Sequence, residues 1–149
     1  MIVEVTRENL SQAAAIHSAA WKESHRAFCS PAFVEAHTVE RQFGYLFSQL
    51  QAGKQLYMLI AHKAVGIVSV ADDLIENLYV LPTEQRKGFG TKLLHFACSQ
   101  CAADPVLWVL SNNLQAQAFY RKYGFSETGV RKQLSDTLYE MEMRFYADC

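Results

Sequence analysis

Apolar and polar positions alternate along this chain with two different periods, and the period changes after Gly53. Before that point, a short alternating segment precedes two stretches in which apolar residues recur with the spacing of a helix. The pattern predicts one strand and two helices, in the order Ile2 to Val5, Asn9 or Ser11 to Trp21 or beyond, and Pro31 to Gly53.

After Gly53 the pattern is typical of strands interrupted by two helices. Three strands are predicted first, at Leu56 to His62, Val65 to Ala71 and Leu74 to Leu81. The next elements are a helix, a strand buried on both faces and a second helix, at Arg86 to Ala103, Val106 to Leu110 and Asn113 to Tyr123. Two closing strands are predicted at Phe125 to Lys132 and Leu138 to Tyr146. Because a strand–helix–strand unit favours a right-handed parallel crossover, we expect an α/β fold of mixed, α+β character in a single domain over residues 1–149. Its mixed sheet has helices on both faces.

Composition narrows the classes of function. Half of the 149 residues are apolar, which is enough to build a core, while the formal net charge is −1. General nucleic-acid binding requires a basic face, so we expect no nucleic-acid partner. No apolar run approaches the roughly 20 residues that span a bilayer, and no signal-peptide pattern is visible. We therefore expect no membrane partner and a cytoplasmic location.

The cysteines do not predict a metal or redox site. Cys98 and Cys101 form a Cys-x-x-Cys pair within a helical pattern, and Cys29 and Cys149 are remote from it in sequence. A zinc site needs two further nearby ligands, and a redox pair favours the N-terminus of a helix that follows a strand. We therefore expect that the cysteines are free thiols, that Cys98 and Cys101 serve ordinary helix packing, and that no metal is bound.

A glycine-rich loop between a strand and a helix is the most informative segment. Gly88 and Gly90 let a ligand approach the backbone closely, and the first N–H groups of the following helix have no partner within it. Arg86 and Lys87 add positive charge. The combination predicts a pyrophosphate site. The P-loop pattern does not fit, because no glycine lies five residues before Gly88 or Gly90 with Lys-Ser/Thr following. The dinucleotide pattern does not fit either, because Leu93 stands in the place of its third glycine. The alternative is that both glycines serve only close helix packing.

Two segments together resemble the GNAT superfamily of N-acyltransferases. Gln85-x-x-Gly88-x-Gly90 is similar to that family's acetyl-CoA signature, [Q/R]-x-x-G-x-[G/A]. Asn113 to Phe125 matches every named position of the family's N-x-x-A-x-x-F-Y-x-x-x-G-F block. With the order of helices and strands, the resemblance covers essentially the whole chain. It implies a GNAT-like fold with a central sheet of about six to seven strands, splayed at its parallel pair, and acetyl-CoA as co-substrate.

The resemblance also implies which residues contact acetyl-CoA. The pantetheine arm would pair with the backbone of Leu78, Tyr79 and Val80, in the gap between the parallel strands. The pyrophosphate would be bound by N–H groups of the loop, at Gln85, Arg86, Lys87, Gly88, Phe89, Gly90 and Thr91. The helix that follows would lie beside the pantetheine through Asn113, Ala116 and Phe119, and its Tyr120 would reach the sulfur.

The implied reaction is direct transfer of an acetyl group to a primary amine through a tetrahedral intermediate. The protonated amine needs a base, and an N–H group such as that of Val80 would stabilise the oxyanion. Tyr120 is the predicted proton donor to the thiolate, packing being its alternative role. Glu76 is the predicted base, because its place four residues before Val80 indicates that both side chains share a face. Ordered water is the alternative base.

The acceptor, a small-molecule or peptide amine, is left open. Its pocket is expected between the first two helices and the last hairpin, with the candidates Trp21, His25, Phe28, His37, Tyr45 and Tyr139. Carboxylates that would attract a cationic amine are Glu23, Glu35, Glu40, Glu140 and Glu142. Aromatic stripes also form cores, and scattered carboxylates also form solvated faces. The alternative function is a non-catalytic acyl-CoA-binding regulatory module. The oligomeric state is open, with a homodimer as one option because dimers are common in the family.

Overall fold

The structure, a computed structural model, describes residues 1–27 and 29–146. Phe28, a predicted acceptor-pocket residue, and Cys149 lie outside the described residues. Seven strands and five α-helices follow one another as β1 (Ile2–Glu4), α1 (Leu10–His25), α2 (Pro31–Glu35), α3 (Val39–Gln51), β2 (Gln55–Ile60), β3 (Ala64–Ala71), β4 (Leu74–Val80), α4 (Phe89–Gln100), β5 (Val106–Leu110), α5 (Leu114–Tyr123), β6 (Phe125–Gln133) and β7 (Tyr139–Phe145). A short 3₁₀ turn, Pro82–Glu84, follows β4.

The seven strands form one mixed sheet in the order β1-β2-β3-β4-β5-β7-β6. β4 and β5 pair in parallel, whereas the other neighbouring strands pair antiparallel. The ladder between β4 and β5 contains one residue pair, Leu74 with Val106, so the two strands diverge beyond it. The predicted mixed sheet, its parallel crossover unit and its splayed parallel pair are thereby confirmed.

Helices cover both faces of the sheet because its central strands are apolar on both sides. In β2, Leu56 and Met58 pack in the core beneath α1 and α3, whereas Tyr57 and Leu59 pack in the core beneath α4 and α5. Neighbouring residues of a strand point to opposite faces, so one strand serves both cores. The predicted apolar face of the first helix is buried as expected.

The predicted helix from Pro31 to Gly53 is in fact two helices. Ser30 caps α2 by accepting a hydrogen bond from the Phe33 N–H at 3.3 Å. Thr38 then adopts an extended conformation and caps α3 by accepting from the Arg41 N–H at 3.2 Å. The break follows from this second cap, because threonine accepts the otherwise unpartnered N–H groups of a new helix start.

Two further predicted elements differ from the structure. α4 begins at Phe89 rather than near Arg86, because Arg86 and Gly88 adopt positive φ angles of 64° and 85° that no α-helix contains. β5 is not buried on both faces. Leu107 and Val109 are buried, but Trp108 on the other face is half-buried and has the Lys132 ammonium 5.2 Å from its ring.

Candidate active site

A cleft of about 840 Å³ opens where β4 and β5 diverge. It extends between the loop after β4, α5 and the C-terminal half of α1. The structure brings together on its walls the following residues predicted from the sequence: Glu76, Leu78, Tyr79, Val80, Gln85, Arg86, Gly88, Gly90, Thr91, Asn113, Ala116, Phe119 and Tyr120. A single cavity therefore unites the two sequence segments that suggested a common site.

Lys87 and Phe89 do not line this cleft. The Lys87 ammonium lies 3.1 Å from Oε1 of Glu84, which is buried at the end of the 3₁₀ turn. His62 and Lys63, in the turn between β2 and β3, approach the same carboxylate at 3.4 and 3.8 Å. The hydrogen bond from Lys87 is the main reason that the pKa of Glu84 is lowered. Lys87 thus fixes the shape of the loop, while Phe89 packs against the core.

The loop presents backbone N–H groups to the cleft. The first hydrogen bond within α4 runs from the Lys92 N–H to the Gly88 carbonyl at 3.2 Å. The N–H groups of Phe89, Gly90 and Thr91 precede it and have no acceptor within the helix. A Cβ atom built on Gly88 meets no heavy atom within 4 Å, so open space lies beside this glycine. This arrangement fits a pyrophosphate, which is bound by N–H groups and the positive end of the helix dipole.

The exposed edge of β4 leaves backbone groups free to pair. The Leu81 N–H donates to the Val65 carbonyl of β3 at 2.9 Å. Because adjacent residues of a strand direct their hydrogen bonds to opposite sides, the N–H of Val80 faces the gap toward β5. The Val80 carbonyl accepts from Nε2 of Gln85 at 3.2 Å, so the Gln85 side chain fixes the end of the strand. An extended ligand in the gap would continue the sheet at this edge.

A β-bulge interrupts β4 at Asn77. Ser69 of β3 pairs with Glu76 and Ile67 pairs with Tyr79, so one residue of β3 opposes two of β4. Asn77 adopts a positive φ of 54°, which asparagine tolerates better than most residues. The extra residue reverses the alternation of side chains beyond it. The prediction that Glu76 and Val80 share a face is therefore wrong.

Glu76 instead lies on the face covered by α1 and α3. Its Oε1 forms an ion pair with the Lys54 ammonium at 2.8 Å. Val80 packs in the opposite core, beneath α4. The two groups proposed to act on one intermediate thus approach the cleft from different sides of β4. Their cooperation requires that the amine reach the cleft from the side of α1.

Tyr120 lies on α5, with its ring against Phe119 and Phe125 at centroid distances of 5.4 and 5.9 Å. Burial raises the pKa of Tyr120 to about 12. Within the described residues no hydrogen-bond partner of its hydroxyl is found, so the group can donate to a ligand in the cleft. Asn113 has a structural task at the start of the same helix, because its Oδ1 accepts from the Ala116 N–H at 3.1 Å.

A second cavity, of about 320 Å³, lies between α1 and α3. It shares the wall residues Asn77 and Tyr79 with the cleft, and its remaining lining is His17, Trp21, His37, Arg41, Gln42 and Tyr45. Trp21 is stacked between His25 and His37, at ring distances of 3.9 and 3.5 Å. Three of the predicted acceptor-pocket residues, Trp21, His37 and Tyr45, therefore come together here.

The other predicted acceptor-pocket residues are dispersed. His25, Glu23 and Glu140 line the cleft instead. Tyr139 lines neither of the two cavities, and the Arg131 guanidinium lies 4.5 Å from its ring. Among the remaining carboxylates, Glu35 pairs with Lys22 and Arg26, and Glu142 accepts a hydrogen bond from Thr128.

Sequence reasoning missed His17 and Asn77, which form a partly buried polar network with Tyr45. Oδ1 of Asn77 accepts from the Tyr45 hydroxyl at 3.3 Å and lies 3.4 Å from Nε2 of His17. Because this oxygen can only accept, Nε2 of His17 carries the hydrogen and Nδ1 is an acceptor. Burial lowers the pKa of His17 to about 4, so the ring is neutral at pH 7. The adjacent polar residues Glu76 and Asn77 within a strand were the available signal of a bulge.

Among the described residues, the cysteines and the acidic residues show no second reactive centre. Cys98 and Cys101 are free thiols, and burial raises the pKa of Cys98 to about 11, which disfavours a thiolate. No group of three histidine, cysteine, aspartate or glutamate side chains suited to a metal is found within residues 1–27 and 29–146. In the same part of the chain, none of the helices has the length and apolar character needed to cross a bilayer.

Comparison with known proteins gives consistent matches. The family model described as Acetyltransferase (GNAT) domain matches residues 52–127. A protein of Mycobacterium tuberculosis named "Probable N-acetyltransferase" is 27% identical over 128 residues, which cover 78% of this chain and 74% of that protein. Among solved structures, a GCN5-related N-acetyltransferase from Rhodopseudomonas palustris has a TM-score of 0.77 at 21% identity, over 99% of this chain and 95% of that one. The PaiA N-acetyltransferase from Thermoplasma acidophilum, solved with coenzyme A, has a TM-score of 0.71 at 18% identity, over 97% and 98%.

Proposed function

Because the chain belongs to the GNAT acetyltransferase family, we propose that it transfers the acetyl group of acetyl-CoA directly to a primary amine of a small molecule or peptide. The observation that supports this most is the continuous cleft from the N-terminus of α4, along the unpaired edge of β4, to the Tyr120 hydroxyl. Its successive parts fit a pyrophosphate, an extended arm and a thioester. The relative from Thermoplasma acidophilum, which was solved with coenzyme A, supports the same choice of ligand.

The chain's own groups would hold acetyl-CoA along this cleft. N–H groups at the start of α4 would bind the pyrophosphate, and the pantetheine would pair with the edge of β4 at Leu78 and Val80. Ala116 and Phe119 of α5 form the opposite wall. When bound, acetyl-CoA supplies an activated acetyl carbon. The backbone then orients that carbon between β4 and Tyr120.

The reaction needs one proton removed from the amine and one delivered to the sulfur. The neutral amine attacks the thioester carbon, and the Val80 N–H stabilises the resulting oxyanion. As the carbon–sulfur bond breaks, the nitrogen loses one proton to the base and becomes the amide nitrogen, while CoA leaves as a thiolate that solvent then protonates. Because the pKa of Tyr120 is raised to about 12, its hydroxyl stays protonated and available as a donor. Its assistance is mainly a hydrogen bond to the departing sulfur, since a free thiol has a pKa of only about 8.5.

Glu76 is the proposed acceptor of the amine proton. Glu76 lies in the wall of the cleft, on the α1 side of β4. An amine would approach the cleft from this side. One carboxylate oxygen pairs with Lys54, so the proton transfer would use the other oxygen or a water molecule next to it. A water chain without Glu76 is the alternative.

Release of free thiol from acetyl-CoA tests the function. We expect acetyl-CoA to raise the melting temperature of the protein, because a ligand that binds only the folded state stabilises it. We also expect at least one amine in a broad panel to release CoA. Binding without turnover by any amine would favour the regulatory module. Absence of both binding and turnover would overturn each of these functions.

The role of Glu76 is tested by Glu76→Gln, with Glu4→Gln, an exposed carboxylate of β1 outside both cavities, as the control. General base catalysis contributes about 10²-fold or more, so we expect kcat/KM to fall by that order, or the pH–rate profile to move to higher pH. The control variant should keep both the rate and the profile. An unaltered profile for Glu76→Gln would assign the proton transfer to water.

A further inference from the structure

Among the described residues that line the second cavity, between α1 and α3, one carries a fixed charge. That charge is Arg41, and neither aspartate nor glutamate contributes to the lining. Arg41 is exposed, and within the described residues no carboxylate lies within ion-pair distance of its guanidinium. Arginine binds carboxylates through two parallel hydrogen bonds. An anionic group is therefore the ligand that this cavity's charge favours.

The neighbouring residue Gln42 offers a donor without a partner. Its side chain lines the cavity and is 3% exposed, yet Nε2 has no hydrogen-bond partner. A buried unsatisfied donor is destabilising, and a ligand oxygen beside it would remove that cost. Arg41 and Gln42 both belong to the first turn of α3, where the helix dipole also favours negative charge. Three features thus converge on an oxygen-bearing anion.

The opposite wall of the cavity offers an acceptor and aromatic surface. Nδ1 of His17 is buried without a partner, and the neutral ring leaves it as a hydrogen-bond acceptor. Trp21 and Tyr45 supply aromatic surface. Asn77 and Tyr79 belong to both the cavity and the cleft. A ligand seated here would therefore reach β4 with an N–H group while its anionic end lies at α3.

We propose that this second cavity binds the carboxylate of the acceptor, so that the acceptor is an amine that also bears a carboxylate, as amino acids and short peptides do. The proposal rests on the acetyltransferase function and specifies its substrate class. Arg41 and Gln42 hold the carboxylate, His17 accepts a hydrogen bond from the substrate, and the amine is directed to the acetyl carbon. The carboxylate takes no part in bond making.

Matched acceptors test the substrate class. The probes are L-phenylalanine, L-leucine and the dipeptide Gly-Phe, their C-terminal carboxamides, and 1,4-diaminobutane, each assayed by thiol release from acetyl-CoA. Because hydrogen bonds to charged groups are the stronger ones, we expect kcat/KM for each carboxylate acceptor to exceed that for its carboxamide by about 10- to 100-fold. Turnover of L-phenylalanine or L-leucine would indicate a free amino acid as the acceptor, whereas turnover of Gly-Phe alone would indicate a peptide. Carboxamides or the diamine used equally well would overturn the proposal and leave the function standing. No turnover with any amine would overturn both.

Variants in the cavity separate recognition from folding. Arg41→Gln should raise KM for carboxylate acceptors about 10-fold or more, whereas Arg41→Lys should recover part of that loss. Gln42→Leu should raise KM as well, while the melting temperature stays unchanged or rises, because an unsatisfied buried donor is removed. Arg131→Gln is the control outside the cavity. A fall in activity that is equal for carboxylates and carboxamides would show a structural effect and contradict the proposal.

Discussion

The cleft and the second cavity share two wall residues of β4, Asn77 and Tyr79, yet backbone groups dominate the polar lining of one and side chains that of the other. The cofactor end of the cleft presents backbone N–H groups, at the start of α4 and along β4. The second cavity presents side chains, among them Arg41, Gln42 and His17. In the proposed function, backbone groups bind the co-substrate. Side chains of α1 and α3 would then select the acceptor.

The largest effect on turnover is expected at Tyr120, a side chain that lines the cleft beside the backbone groups. Tyr120→Phe removes the hydroxyl that is proposed to face the sulfur, while the ring keeps its contacts with Phe119 and Phe125. A hydrogen bond to a charged group contributes about 1.5–3 kcal/mol, so kcat should fall by about 10- to 100-fold. Acetyl-CoA affinity, measured by calorimetry, should stay the same.

Tyr123→Phe provides the matched control for Tyr120. Tyr123 lies on the same helix, and its hydroxyl bonds to His95 at the surface. Turnover by this variant should equal that of the unaltered protein. If Tyr120→Phe also keeps full turnover, no side chain assists the departing sulfur, and the cleft works with backbone groups alone.

The second prediction distinguishes the second cavity from the cleft by the pH dependence of the free energy of unfolding. Backbone groups do not titrate, whereas His17 does, and burial lowers its pKa from 6.5 to about 4. The unfolded chain therefore binds more protons than the folded one between these values. The stability that neutral His17 provides is complete above pH 6.5 and is lost as the pH falls toward 4. By linkage this loss is on the order of 3 kcal/mol.

Urea unfolding at several pH values measures that loss. His17→Gln should reduce the fall in the free energy of unfolding between pH 7 and 4, while His95→Gln, an exposed histidine, should not. The lowered pKa of Glu84 adds an acid dependence of its own, which all three proteins share. Parallel curves for His17→Gln and the unaltered protein would mean that the His17 ring is not buried enough to stay neutral.

The contrast between backbone and side chains also explains what the sequence could predict. The loop was predictable because Gly88 and Gly90 leave a trace in the sequence wherever backbone must approach a ligand. The family membership inferred from this loop and the α5 block is confirmed by the matching family model. The mixed sheet was predictable from the change in period after Gly53. In these cases, local chemistry and global structure agree.

The remaining features depend on tertiary contacts. The bulge at Asn77 moves Glu76 to the face opposite Val80, although spacing along a regular strand predicts a shared face. Lys87 was expected to add charge to the pyrophosphate site, but Glu84 draws its ammonium away. Arg41 and Gln42 look like ordinary surface residues of a helix until α1 packs opposite them.

The smallest expected effect tests whether backbone rather than charge forms the loop. Gly88→Ala places a Cβ at a φ of 85°, which costs about 1–2 kcal/mol, and directs it into the open space beside the loop. KM for acetyl-CoA should rise about 10-fold, which corresponds to about 1.4 kcal/mol. Lys87→Ala removes a half-exposed ion pair worth at most about 1 kcal/mol, so KM should rise less than about fivefold. Steady-state kinetics with a saturating amine measures both. A larger rise in KM for Lys87→Ala than for Gly88→Ala would show that side-chain charge dominates the binding of acetyl-CoA at the loop. The contrast between a cleft of backbone groups and a cavity of side chains would then not hold for the loop.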